Sequence, residues 1–164
     1  MPNYQPTAGI VTSFEDYPIG DSNTVGCYKI MSLASGDALI TNFVISPNTY
    51  FIDSAVISVG DSVIAFHDAD APVPLIYPPQ YRAIVVARKT RGKNVVMDYF
   101  DSELVNTRGL LKLEIAPSTR IMLKNGQRFT MSPADRYLIV VYGAKTRSIP
   151  AIARPSQIIV MCNN

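Results

Sequence analysis

Acidic side chains cluster in two places where they could bind a cation or act as paired carboxylates. The first cluster is His67-Asp68-Ala69-Asp70, where carboxylate oxygens of the kind that hard cations prefer flank the single histidine of the chain. The second comprises Asp98, Asp101 and Glu103, which are close enough in sequence for paired-carboxylate hydrolysis. Solvated turns and strand ends explain both clusters more simply, so the sequence predicts no metal site and no catalytic residue.

A basic run with nearby aromatic residues is the strongest candidate binding feature. Such a run, combined with rings on which bases can stack, is typical of small β-barrels that hold single-stranded nucleic acid. Arg147 is a separate candidate, since its planar guanidinium can bind an anion or tie a loop to backbone carbonyls. The candidate binding residues are Tyr77, Tyr81, Arg82, Arg88, Arg91, Lys93 and Arg147.

Common catalytic signatures are missing from the chain. The sequence contains no Gly-x-Ser-x-Gly elbow, phosphate loop, dinucleotide fingerprint or His-Glu-x-x-His motif. With one histidine available, acid–base or metal chemistry based on histidine is not expected. We therefore predict a protein that is not an enzyme and uses no cofactor.

The elements that must position these residues are predicted to be strands. Short runs of Val, Ile, Tyr, Phe and Thr alternate with Gly, Pro, Asn, Asp and Ser, and twelve prolines disfavour long helices. The one marked helical turn is Ser132-Pro133-Ala134-Asp135, with a weaker candidate at Ser54-Ala55. Asn125-Gly126 predicts a two-residue hairpin with positive φ at both positions. The predicted strands are 8–14, 25–33, 38–45, 49–57, 61–67, 81–88, 93–100, 109–116, 119–124, 127–131, 136–142 and 156–162.

The strand pattern occurs twice. Residues 43–52 and 113–122 share an apolar-x-Ile-small-Pro-polar-Thr core, 70 positions apart, and each is followed by a strand, a Pro-bearing crossing and a last strand. The best-matched parts look like determinants of the fold and not like active-site residues. We expect an all-β protein of duplicated small Greek-key barrels, OB-like or SH3-like, tightly paired or fused. The predicted copies are residues 1–90 and 91–164, with a loop insertion in the first around residues 18–23.

Charge divides unevenly between the two copies. Residues 1–81 hold one basic and eight acidic residues, while residues 82–164 hold fourteen basic and five acidic ones. Such a split is a statement about association and not about fold. It predicts an acidic first copy and a basic second copy that attract one another within a molecule or between molecules.

A string in the second copy resembles a known kind of module. Residues 138–150, which end in Thr146-Arg147-Ser148-Ile149-Pro150, resemble a segment of uncharacterised β-rich modules from spore-forming Gram-positive bacteria. In the first copy, Ile76-Tyr77-Pro78-Pro79-Gln80-Tyr81 looks like a diverged version. The resemblance implies a non-enzymatic envelope or interaction module.

These observations leave two functions open. The first is a structural or interaction module that binds proteins or self-associates through its oppositely charged halves. The alternative is binding of a polyanion, either single-stranded nucleic acid or an anionic cell-wall polymer, by the basic second half.

The sequence gives little information on location. No segment approaches the length of a membrane span, and the start has no features of a signal peptide. A cytoplasmic location is expected if the sequence is complete, and the cell envelope if an export signal was removed. Cys27 and Cys162 are predicted to be two buried free thiols, with a disulfide as the alternative.

Overall fold

The structure is a computed structural model that describes residues 1–162 and is all-β, with two sheets. The chain divides into two compact units, Met1–Lys89 and Thr90–Asn164. Within residues 1–162 the one helical element is a 3-10 turn at Ile52–Ser54, where Asp53 and Ser54 have positive φ. No helix in this part of the chain has the length and apolar character needed to cross a membrane.

The first unit contains a seven-stranded sheet. In sheet order the strands run β4-β7-β5-β1-β2-β3-β6. Their bounds are β1 Tyr4–Asp16, β2 Lys29–Ala34, β3 Ile40–Ile45, β4 Tyr50–Phe51, β5 Ser62–Asp68, β6 Gln80–Arg82 and β7 Val85–Arg88.

One segment of the first unit, residues 80–88, bonds to both sides of the sheet. Its first part is β6, which pairs parallel with β3, and its second part is β7, which pairs antiparallel with β5. The partner changes at Ala83, whose N–H donates to Val44 O at 3.0 Å, while the N–H of Ile84 donates to Phe66 O at 2.8 Å. β1 also pairs with both β2 and β5, so residues 80–88 bond to β3 and to β5, the two ends of the run β3-β2-β1-β5.

The second unit contains a five-stranded sheet. The strands run β10-β12-β11-β8, and β9 pairs with the first part of β12. Their bounds are β8 Asn94–Phe100, β9 Leu111–Leu113, β10 Arg120–Leu123, β11 Arg136–Lys145 and β12 Ala151–Val160.

Each strand pairing of the first unit has a counterpart in the second. β12 pairs parallel with β9 and β10 and antiparallel with β11, as the 80–88 segment does with β3, β4 and β5. β8 pairs antiparallel with β11, as β1 does with β5. The counterpart of β2 is reduced to two isolated bridges, at Val105 and Asn106. The crossing of the first unit is the connection between β5 and β6, and that of the second is the connection between β11 and β12. Each contains a cis proline peptide bond, Tyr77–Pro78 and Ile149–Pro150.

The main difference between the units is the hairpin between β1 and β2. Val11 pairs with Leu33 and Phe100 bridges to Asn106, so these two pairs mark equivalent positions. Residues 12–32 lie between the paired positions in the first unit, and residues 101–105 in the second. The extra chain lengthens the hairpin, and an ion pair between Lys29 and Asp16 lies at its last paired position before the loop.

Each unit has its own apolar core. In the first, Phe43, Met31, Leu33 and Val63 are fully buried. In the second, the buried cluster is built from alternate residues of β11 and β12 together with Phe100. A continuous apolar run predicts a strand that is buried on both faces. The runs at Ala83–Ala87 and Leu138–Val141 are buried, apart from the half-buried Ile84, although Ala83 and Ile84 lie between β6 and β7.

Several local predictions were wrong. The predicted strand 127–131 is not a strand and has one isolated bridge, Met122 to Arg128. Residues 127–129 turn back along β10 as a short irregular segment after the hairpin turn. The segment 132–135 is not helical, since the Ser132 hydroxyl accepts from the N–H of Ala134 and Asp135 has positive φ. Instead, a turn occurs at the weaker candidate near Ser54.

The Asn-Gly turn also differs from the prediction. The N–H of Gly126 donates to Leu123 O at 3.0 Å, and the N–H of Leu123 donates to Gln127 O at 2.8 Å. Only Gly126 has positive φ, at 84°, and Asn125 does not. This is a turn followed by a glycine bulge, in which only the glycine needs the left-handed region.

Candidate functional site

The matched Pro-x-Thr turns have a structural role that is the same in both units. Thr49 Oγ1 accepts from the N–H of Ser46 at 3.0 Å and donates to Ala83 O at 2.8 Å. Thr119 Oγ1 accepts from the N–H of Ala116 at 3.0 Å and donates to Pro155 O at 2.7 Å. Each hydroxyl closes its own turn and ties that turn to the last strand segment of its unit. These hydrogen bonds give a physical basis for the expectation that these residues determine the fold, which stays a prediction.

The predicted aromatic residues have different environments. Tyr81 is half-buried and packs against the core, where its ring stacks on His67 with centroids 3.8 Å apart and also contacts Phe43. One face of Tyr81 is therefore not available to a nucleic-acid base. Tyr77 lies on the crossing and is 82% exposed, so its ring is free to contact a ligand.

The predicted basic residues are mostly exposed, and one is already engaged. Arg88 Nη2 donates to Val56 O at 2.6 Å and lies 3.6 Å from Asp61 Oδ2. The other exposed members are Arg82, Arg91, Lys93 and Arg147. Within residues 1–162, no hydrogen bond, ion pair or ring contact joins one member of the predicted set to another.

Within the described part of the chain, the Arg147 guanidinium donates no hydrogen bond to a backbone carbonyl of its loop. The loop is held instead by hydroxyl groups. Thr146 Oγ1 lies 2.6 Å from Ser148 Oγ and accepts from the N–H of Ile152, while Ser148 Oγ donates to Pro150 O. The guanidinium of Arg147 is left exposed at the surface.

The acidic cluster near His67 forms a turn. Asp68 Oδ1 accepts from the N–H groups of Asn3 and Asp70, both at 3.0 Å. His67 itself is buried, and its Nδ1 has no hydrogen-bond partner. Burial lowers the pKa of His67, and the nearby Asp68 carboxylate offsets part of that shift.

The second acidic cluster caps loops. Asp98 Oδ1 accepts from the N–H of Tyr99 and from the hydroxyl of Thr107. Asp101 Oδ1 accepts from the N–H groups of Glu103 and Val105. Among residues 1–162, no group of three or more His, Cys, Asp or Glu side chains has a geometry that could hold a metal ion.

The two thiols are free and both are exposed, so the prediction that they are buried was wrong. Cys27 lies on the extended hairpin of the first unit, and Cys162 follows the last strand of the second. Both positions are outside the apolar cores. A small apolar residue at the end of an apolar run does not by itself show whether the sheet extends far enough to bury it.

The crossing of the first unit exposes a continuous apolar surface. Every residue from 71 to 77 is exposed, and Leu75 has no burial at all. At the end of this crossing, Gln80 Nε2 donates to the hydroxyl of Tyr17 at 3.3 Å, which links it to the extended hairpin. The large apolar side chains exposed on it are Val73, Leu75, Ile76 and Tyr77.

The second unit contains an open groove of about 560 Å³ beside β10. One wall is the Pro117-Ser118-Thr119 turn, and the other is the return that follows Gly126. Arg120, Arg128 and Phe129 line the groove. Sequence reasoning missed this site because the two arginines are separated by a hairpin and belong to no basic run.

Comparisons of this chain with protein families, with curated proteins and with solved structures found no match. The resemblance of residues 138–150 to β-rich modules of spore-forming Gram-positive bacteria therefore stays a prediction.

Proposed function

We propose that this chain is a non-enzymatic interaction module whose first unit binds a second copy of the chain. The observation that carries the proposal is the exposed crossing of residues 71–77, with Leu75 and Ile76 at its centre. Contiguous exposed apolar surface of this kind marks interaction sites in soluble proteins. Asp68 and Asp70 lie at the start of the crossing, so the surface combines apolar contact with negative charge.

The proposal includes a finer description of the fold, in which each unit is an OB-like Greek-key barrel. It is supported by the strand pairings, with a last strand segment that pairs parallel with β3 and antiparallel with β5. OB-folds bind ligands on the face of strands 2 and 3 and on the two loops beside it. In the first unit those loops are the extended hairpin and the exposed crossing, and the Gln80–Tyr17 hydrogen bond lies between them. That the units are tightly paired or fused stays a prediction.

Charge complementarity favours a second copy as the occupant. The first unit, residues 1–89, holds four basic and eight acidic residues, and the second, residues 90–164, holds eleven basic and five acidic ones. The net charges are −4 and +6, a smaller difference than between residues 1–81 and 82–164, because Arg82, Arg88 and Lys89 belong to the first unit. Contact between unlike units of two molecules is heterologous and builds a ring or a filament.

The experiment is sedimentation velocity of the full chain over a range of concentrations at about 50 mM and about 500 mM salt, across which screening strengthens. We expect concentration-dependent association that weakens at the higher salt concentration. The double variant Leu75→Ser/Ile76→Ser should weaken association at both. The matched control is Val56→Ser/Val59→Ser, which removes two other exposed apolar side chains from the same unit. A monomer at every concentration and both salt levels contradicts self-association.

A second candidate function is binding of a polyanion by the basic second unit. It is supported by the net charge of +6 and by the exposure of Arg91, Lys93 and Arg147. Affinity should fall steeply with salt, because counterions are released on binding. Absence of any mobility shift with single-stranded DNA, RNA or a teichoic-type polymer at about 50 mM salt removes this candidate.

A further inference from the structure

We infer that the groove beside β10 is an anion site that takes adjacent phosphates of a phosphodiester chain through Arg120 and Arg128. This inference makes the second candidate function specific. It rests on that proposed function only for the identity of the phosphodiester polymer that is bound. It involves none of the basic residues that the sequence singled out.

The first argument is charge. Arg120 and Arg128 line the same groove, and no aspartate or glutamate lines it. Neither arginine belongs to an ion pair of the described chain, whose pairs involve Lys29, Arg88 and Arg154. Two uncompensated guanidinium groups in one concave surface repel each other, and an anion between them relieves that repulsion. Arginine also presents a planar fork of donors that matches phosphate oxygens.

The second argument is shape. A groove of about 560 Å³ is much larger than one phosphate needs, and it is partly open to solvent. Ser118 lies on one wall and Phe129 on the other. Arg136 packs its guanidinium 4.8 Å from the centre of the Phe129 ring, which adds positive charge behind that wall. An extended chain of phosphates fits this arrangement better than a small enclosed ligand.

The third argument comes from comparing the two units. Thr49 and Thr119 make the same pair of hydrogen bonds, so the turn that forms one wall has the same scaffold in both. The strand register places Tyr50 opposite Val85 and Arg120 opposite Gln157, one residue after each threonine. The first unit therefore has a tyrosine where the second has a groove arginine. The scaffold is shared, and the charge belongs to the second unit alone.

The test is binding of fluorescein-labelled oligo(dT) and of poly(glycerol phosphate) to the full chain, measured by anisotropy at several salt concentrations. Arg120→Ala/Arg128→Ala should lower affinity at about 50 mM salt by more than tenfold. It should also reduce the slope of log affinity against log salt by about 1.4, since each phosphate contact to a single strand contributes about 0.7. The matched control Arg108→Ala/Lys145→Ala removes the same charge from the same unit, at two exposed residues outside the candidate binding set, and should change affinity by less than threefold.

The outcomes separate clearly. Loss of binding in the groove variant alone supports the site. Whether oligo(dT) or poly(glycerol phosphate) binds identifies the source of the phosphates. Equal loss of affinity in both double variants overturns the proposed site and shows that binding depends on diffuse charge. Absence of binding to both oligo(dT) and poly(glycerol phosphate) also overturns it. Thermal unfolding of both variants should match that of the parent chain, since all four substituted side chains are exposed. The anisotropy result is independent of self-association, which sedimentation of the same variants measures separately.

Discussion

The imidazole ring of His67 stacks face to face on the phenol ring of Tyr81, with centroids 3.8 Å apart and an angle of 9° between the rings. His67 lies in β5 and Tyr81 in β6, and the two rings meet because residues 80–88 pass from β3 to β5. Because of this contact, Tyr81 packs at the edge of the core, and one face of its ring is not available to a ligand. It also holds a titratable group in a buried position where its Nδ1 has no partner.

The first prediction concerns pH. Burial lowers the pKa of His67 in the folded chain below its ordinary value of about 6.5, so folding favours the neutral imidazole. The resulting stability is fully present above about pH 6.5 and is lost as the pH falls through the lower pKa of the folded state. In urea unfolding between pH 7.5 and pH 5, the parent chain should lose more stability than the His67→Phe variant. Equal losses would show that His67 does not contribute to the pH dependence.

The second prediction concerns the matched threonines. Thr49→Val and Thr119→Val each remove two hydrogen bonds of a half-buried hydroxyl and leave a carbonyl of the last strand segment without its donor. Each should lower the free energy of unfolding by about 1 to 3 kcal/mol. Urea unfolding measures the loss, and Asn48→Ala, an exposed neighbour in the same turn, should leave stability within about 0.5 kcal/mol. Threonine variants as stable as the Asn48 control would exclude the proposed tie.

The third prediction concerns Gly9. A Cβ atom at this position would lie 2.7 Å from Ala34 O and 3.2 Å from Leu33 Cβ, too close to the backbone of β2. Gly9→Ala should therefore destabilise the chain by about 1 to 3 kcal/mol in thermal or urea unfolding. Gly36→Ala is the matched control, because a Cβ there meets no atom within 4 Å and the backbone has no positive φ. If the Gly9→Ala and Gly36→Ala variants had the same stability, the close packing of Gly9 against the backbone of β2 would be contradicted.

The fourth prediction concerns the thiols. Because Cys27 and Cys162 are free and exposed, both should react with a thiol reagent such as dithionitrobenzoate in the native protein. The expected release is about two equivalents without denaturant, and Cys27→Ser and Cys162→Ser should each remove one. A native protein that reacts only after unfolding would contradict the exposure of both residues.

Local pattern was sufficient for the parts of the fold that depend on composition and alternation. Apolar runs at 83–87 and 138–141 predicted interior strands, and the structure buries them apart from Ile84. The repeated Pro-x-Thr turns were expected to be fold determinants, and their hydroxyls hold the last strand segments. The apolar runs and the closure of each turn are readable because they depend on neighbours a few positions away. The bonds from the two threonines to the last strand segments join residues 34 and 36 positions apart, so only the tertiary structure shows them.

Tertiary structure decided which side chains meet. Arg88 pairs with Asp61 because β7 lies against β5, and Tyr81 stacks on His67 through the same arrangement of strands. Arg120 and Arg128 line one groove because a hairpin turns between them. Strand register sets these contacts, and it depends on pairings between segments far apart in the chain. The sequence by itself thus determined an all-β chain with an uneven charge distribution, and only the packing of its strands decided where that charge can act.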